Sequence, residues 1–122
     1  MRTSDLPILL VESDAAQAAE IRDSLAARGR TVQVADARDP IGPDIVPWPT
    51  FNLVLDVDGS DRPHADMAAI LSAYTPAQVP RVVVLMEGTS LLERLDLLRD
   101  ARIRVLIKPV EADELFEALR AV

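Results

Sequence analysis

Ile8-Leu9-Leu10-Val11-Glu12-Ser13-Asp14 is an apolar run without a polar break that ends in acids. The same design returns at Leu53-Val54-Leu55-Asp56-Val57-Asp58 and at Val82-Val83-Val84-Leu85-Met86-Glu87. Runs this short and this uniformly apolar are expected of parallel strands covered by helices on both faces. Two further runs complete the set, so that five strands are predicted: Ile8–Val11, Thr31–Ala35, Asn52–Val57, Arg81–Met86 and Ile103–Ile107. The three without alternation are expected at the centre of the sheet. Thr31-Val32-Gln33-Val34 alternates, which predicts an edge strand with Gln33 toward solvent.

Helical patterns separate the runs, and alternation of this kind is what a parallel sheet built from βαβ units requires. Asp14 is placed to cap a helix carrying Ala18, Ile21 and Leu25 on one face and stopping at Gly29. Pro63 suits a first helical turn, after which Met67, Ile70, Leu71 and Tyr74 recur at helical spacing until Thr75-Pro76. Ser90 and Glu93 read as a capping box ahead of Leu91, Leu95 and Leu98. Leu115, Phe116, Leu119 and Val122 mark a last amphipathic helix. Residues 36–50 break the pattern: Pro40, Pro43, Pro47 and Pro49 predict a loop there with at most one helical turn, because a proline inside a helix costs about 3 kcal/mol. Trp48, between two of them, is expected to lid the edge of the core.

The whole chain of 122 residues is read as one domain, 1–122, with 49% hydrophobic residues and a formal charge of −7. The absence of Cys excludes disulfides, thiolate metal sites and a cysteine nucleophile. The acid excess, with no basic run, argues against a nucleic-acid partner. No apolar window is long enough for a signal peptide or membrane span, so a cytoplasmic protein that does not engage the membrane is expected.

In open parallel sheets the ligand site lies beyond the carboxyl ends of the strands. Here those ends carry Glu12-Ser13-Asp14, Asp56-Val57-Asp58-Gly59, Met86-Glu87 and Lys108-Pro109. Crowded carboxylates repel unless a cation lies among them, so this rim favours a hard oxygen-ligated ion such as Mg²⁺, with Lys108 as counter-charge. Capping of helix N-termini accounts for Asp14 alone equally well, but not for a lysine ahead of a helix start.

Ile8-Leu9-Leu10-Val11-Glu12-Ser13-Asp14, Leu53-Val54-Leu55-Asp56-Val57, Val83-Val84-Leu85 and Leu106-Ile107-Lys108-Pro109, in that order, resemble the receiver domain of bacterial two-component response regulators, a likeness that spans nearly the whole chain. The resemblance implies an α/β fold of flavodoxin-like type, a five-stranded parallel sheet in the order 2-1-3-4-5 with helices on both faces, the second helix being shortened or replaced by the proline-rich loop. It implies that Asp56 accepts a phosphoryl group from a histidine kinase or phosphotransfer protein. Mg²⁺ would be held by Glu12, Asp56 and the Asp58 carbonyl, and Lys108 would pair with the phosphoryl group. A carboxylate can attack phosphorus when metal and lysine neutralise the incoming oxygens.

The chain departs from that family at several points. Ser13 replaces the second acid after the first strand, Met86-Glu87 replaces a hydroxyl residue followed by a small one, Val105 stands where an aromatic switch residue is usual, and Gly59-Ser60 follows the acceptor segment in place of Met-Pro. Weak Mg²⁺ binding and slow phosphorylation are therefore expected, and a degenerate receiver that binds partners independently of phosphate is the alternative. A third reading is local: Asp56-Val57-Asp58-Gly59-Ser60 is also similar to the first motif of haloacid-dehalogenase-type phosphatases, with Asp56 as nucleophile and Asp58 as general acid/base. Its position in so short a chain and the lack of a later acidic motif count against an enzyme.

Among smaller features, the lone His64 is expected to be solvated near a helix start. Arg99, Arg102 and Arg104 lie toward the face formed in receivers by the fourth helix, fifth strand and fifth helix, through which a homodimer or an output protein would bind; solvated salt bridges are the plainer reading. With no effector region after Val122, the chain is expected to act alone or as a piece of a larger protein.

Overall fold

Five parallel strands hydrogen-bond in the order β2-β1-β3-β4-β5, where β1 is Ile8–Val11, β2 Val32–Ala35, β3 Asn52–Asp56, β4 Val82–Met86 and β5 Ile103–Ile107. This is the order the resemblance implies. The structure is a computed structural model and describes residues 5–36, 48–56, 72, 74–88 and 101–120. Two helices fall within them, α1 (Ala15–Ala26) and α2 (Ala112–Arg120). The loop expected over 36–50, apart from its ends, the helix expected after Pro63 up to Leu71, the Ser90 helix, Asp58, His64 and Arg99 lie outside the described residues.

Every residue of β1, β3 and β4 is buried. Their runs lack polar alternation because both faces of these strands meet protein, and alternate side chains enter two separate cores. Ile8, Leu10, Val54, Val83 and Leu85 join Ala18, Ile21 and Leu25 of α1 and Leu115, Ala118 and Leu119 of α2 on one side of the sheet. Leu9, Val11, Leu53, Leu55, Val82, Val84 and Met86 join Phe51, Tyr74 and Val79 on the other. Phe51 stacks edge-on against Tyr74 at 5.0 Å, and the half-buried Trp48 leans toward it at 6.5 Å, closing the margin of this core as expected.

At the sheet edges, β2 is half-buried throughout. Gln33 is half-buried like its neighbours, on the edge strand expected of its alternating pattern. On the opposite edge, β5 is only partly covered, and Ile107 is 39% exposed.

Helix α1 begins where local chemistry dictates. The Asp14 side chain accepts hydrogen bonds from the backbone N–H of Ala16 and Gln17, at 3.0 and 3.1 Å, satisfying two donors that a helix start leaves open. The chain leaves the helix through Gly29, whose φ of +81° suits a residue without a β-carbon.

Two substitutions test these assignments by urea denaturation. Phe51→Ala should cost about 3–5 kcal/mol, because it empties a buried aromatic site, whereas Asp14→Ala should cost only about 1 kcal/mol, the usual worth of a helix cap.

Candidate functional site

The register of the sheet assembles the site. Val11 lies opposite Leu55 and Asp56 opposite Leu85, which in turn faces Leu106. Glu12 and Asp56 therefore leave adjacent strands at the same level, and Lys108 follows two residues after Leu106, its own N–H donating to the Met86 carbonyl at 2.8 Å. Strand alternation puts all three side chains on the side that carries Leu10, Val54 and Leu106, beneath α1 and α2.

Lys108 Nζ donates to both carboxylate oxygens of Asp56, each at 2.8 Å. Asp56 is 3% exposed, while the lysine side chain keeps 29% of its surface in solvent. Burial of a carboxylate in such a place is tolerable only with a charged partner, and the lysine supplies it from the far side of β4.

Glu12 is the second buried acid, 4% exposed. Its Oε1 accepts the Asp14 backbone N–H at 3.1 Å, whereas its buried Oε2 has no hydrogen-bond partner. Burial, with the neighbouring Asp56 acting in the same direction, raises this carboxyl to about 8 against opposite effects of the Asp14 N–H and Lys108. Glu12 is thus largely protonated at neutral pH, and Asp56 is the carboxylate that Lys108 neutralises.

Glu12, Asp56, Glu87 and Lys108 all line one open cleft of about 780 Å³, which continues between α1 and α2 past Gln17, Glu20 and Ser24 to a floor of Ile21, Leu25 and Leu115. The convergence of strand ends expected from the sequence is therefore present for four ends of the sheet. Asp14 is at the margin of the same cleft, but its carboxylate is occupied in capping α1. Asp58 lies outside the described residues.

One assignment is corrected. Met86, which the resemblance sets in place of the hydroxyl residue of receivers, is fully buried in the core on the opposite side of the sheet, and the exposed Glu87 lines the cleft instead. The period of two along β4 would have shown this, since Glu87 shares the parity of Val83 and Leu85. The continuation of the cleft between the helices was also missed; nothing in the helical pattern of Gln17, Glu20 and Ser24 separates a cleft wall from a solvated face.

Among the described residues no three acids or histidines are gathered as a metal-ligand group. The chemistry of the pair present nevertheless suits a cation: two carboxyl groups share a buried niche, and one oxygen, Glu12 Oε2, is left without a partner.

The raised Glu12 carboxyl has a consequence for stability. A group that holds its proton more tightly when folded contributes stability below its unfolded value near 4.5 and loses it as pH rises through about 8. Between pH 5 and 9 the wild type should lose at least about 1.4 kcal/mol, the equivalent of one pKa unit, relative to Glu12→Gln, which imitates the protonated form and should flatten this part of the profile. Denaturant titrations across that range provide the measurement.

No protein-family model matches the chain, and neither does any curated protein sequence. Solved structures do. A response regulator receiver domain protein from Clostridium thermocellum superposes with a TM-score of 0.75 at 19% identity, over 94% of this chain and 91% of that one. The Vibrio cholerae chemotaxis protein CheY4 gives 0.73 at 17%, over 97% and 98%. Full-length FixJ from B. japonicum gives 0.75 at 18%, over 94% of this chain and 58% of the longer one. The chain therefore has the fold of response-regulator receiver domains, with its buried Asp56–Lys108 pair at the carboxyl rim of that fold.

Proposed function

We propose that this chain is a receiver module of two-component signal transduction and that Asp56 is its phosphoacceptor. The observation that carries the reading is the contact of Lys108 Nζ with both Asp56 oxygens at 2.8 Å, within a cleft open to an incoming donor. The donor would be a histidine kinase or a phosphotransfer protein. An Asp56 oxygen attacks phosphorus, the bond from phosphorus to the donor's nitrogen breaks, and the Lys108 ammonium shifts from the carboxylate to the phosphoryl oxygens, where negative charge has accumulated. Lys108 needs no proton transfer for this; it moves as a charge.

Mg²⁺, when bound, supplies the remaining charge neutralisation at the phosphoryl oxygens. Glu12 Oε2 and Asp56 would hold it, with the Asp58 carbonyl added by resemblance. Because Glu12 must lose a proton held up to about pH 8 before it can ligate, affinity should be weak at neutral pH and rise with pH. The residue acts as an acceptor in a phosphorelay, and no turnover of a substrate is assigned to it; the Asp56/Asp58 phosphatase reading has only its local motif in support.

A second reading has a specific observation in its favour. Glu87 stands at the cleft where receivers offer a hydroxyl donor, and its carboxylate would oppose a phosphoryl group that bears nearly two negative charges. With Ser13 in place of an acid, this supports a module that engages protein partners independently of phosphate, within the cell and through the face that includes β5.

Exposure to acetyl phosphate with Mg²⁺, followed by intact-mass measurement, separates the two. One phosphate adduct that disappears in Asp56→Ala and falls at least about tenfold in rate in Lys108→Met, as expected for loss of a charge at the reacting group, supports the acceptor. No adduct at saturating Mg²⁺ and pH 8.5 would establish the phosphate-independent module. Glu87→Thr should raise the rate of labelling if Asp56 is the acceptor.

A further inference from the structure

Apart from the acidic rim, the turn after α1 and the side of α2 enclose a smaller cavity of about 170 Å³, lined by Asp5, Arg28, Gly29, Arg30, Phe116 and Arg120. In a chain with 20 acidic residues and 13 basic ones, three guanidinium groups around one small space reverse the prevailing sign. Among the described residues one carboxylate, Asp5, shares the lining.

Arg30 is the built part of this cavity. It is 9% exposed, and its Nη2 donates to the Leu6 carbonyl at 2.8 Å, but its buried Nε and Nη1 have no partner. A guanidinium carries five N–H donors and keeps its proton in proteins; those on Nε and Nη1 of Arg30 have no partner but are closed to solvent, so Arg30 serves the cavity through its charge. Burial disfavours the charge on Arg30, and the Asp5 carboxylate only partly opposes that effect.

Phe116 holds the other two arginines in place. The guanidinium carbons of Arg28 and Arg120 lie 5.4 and 5.6 Å from its ring centroid, within cation–π range. Arg28 also bonds the Ser24 carbonyl at 3.2 Å and Asp113, and Arg120 bonds Glu117 at 3.3 Å. Both acids are widely exposed, and pairs of that kind are weak, so they yield to a better anion. At Gly29 a side chain would meet nothing within 4 Å, which leaves the wall open on that side.

We propose that this cavity is a binding site for a small tetrahedral oxyanion of the phosphate class, clasped by Arg28 and Arg120 with the charge of Arg30 behind them, distinct from the Asp56 site. Three guanidinium groups meet Asp5 here, and two of them already pair with the exposed Asp113 and Glu117, so an incoming anion binds by displacing those acids, and the planar donor forks of arginine match phosphate oxygens two at a time. The small volume fits a free ion with its waters. The inference does not depend on Asp56 being phosphorylated.

Backbone amide NMR on the full chain, titrated with inorganic phosphate at constant ionic strength, tests the site. Saturable shifts at Gly29, Arg30, Phe116 and Arg120 are expected, retained in Lys108→Met and weakened roughly tenfold or more in Arg120→Gln. Arg120 is the variant of choice because it is exposed and should fold normally, whereas Arg30 is part of the interior. The proposal fails if these residues do not shift, if acetate reproduces the shifts at equal concentration, if only the Lys108 region responds, or if Arg120→Gln and Arg28→Gln both bind phosphate as the wild type does. Arg120-dependent binding to vesicles containing phosphatidic acid, without response to free phosphate, would replace it with a lipid headgroup site.

Discussion

A carboxylate at the end of the central strand, almost wholly shielded from water, needs a cation within reach, and here the cation comes from two strands away. The Asp56–Lys108 contact is possible only because β3, β4 and β5 are consecutive and parallel, and because their register sets Lys108 two residues beyond the level of Asp56. Moving β5 by one residue would turn the lysine into the other core. The pair and the topology therefore constrain each other: the sheet brings the charges together, and misregistered sheets would bury Asp56 unpaired, at a cost of several kcal/mol.

Glu12 shows how the site manages the charge that one lysine cannot cover. Two acids and one ammonium share a niche with little water, and the acid farther from Lys108's hydrogen bonds carries the proton. The proton favoured on Glu12 and the ammonium on Asp56 are two answers to one electrostatic problem. In this chain the proton competes for the same Glu12 oxygen that a cation would use, so any cation binding and any pH dependence of folding are linked at that atom.

The sequence makes some of this legible and leaves some hidden, for physical reasons. The central strands announce themselves because unbroken Leu and Val runs have no other use in so short a chain, and β1 and β5 have the bounds expected. Thr31 and Arg81 fall outside β2 and β4 although the carbonyls of both accept hydrogen bonds from neighbouring strands, a difference of one residue where strands fray. The Asp14 cap is readable because capping is local. Lys108 and Asp56 are readable as partners only through the rule that parallel sheets gather function at their carboxyl ends. The arginine cavity is invisible at that stage: Arg28-Gly29-Arg30 reads simply as a helix stop, and only packing sets it beside Phe116 and Arg120, about 90 residues later.

The end of β4 is where resemblance and periodicity disagree, and the disagreement bears on function. The resemblance sets Met86 at the hydroxyl position; by alternation, the residue facing the cleft is Glu87. Alternation governs, because a one-residue error would exchange a fully buried methionine for a charged group in the core, against the hydrophobic effect and the desolvation of a carboxylate together. The cleft thus has the Glu87 carboxylate at the end of β4 and the Lys108 ammonium at the end of β5, both in the space that Asp56 lines. Any anion entering this cleft gains Lys108 and meets Glu87, so the balance of those two side chains, as much as Asp56 itself, sets the sign of charge that the rim favours.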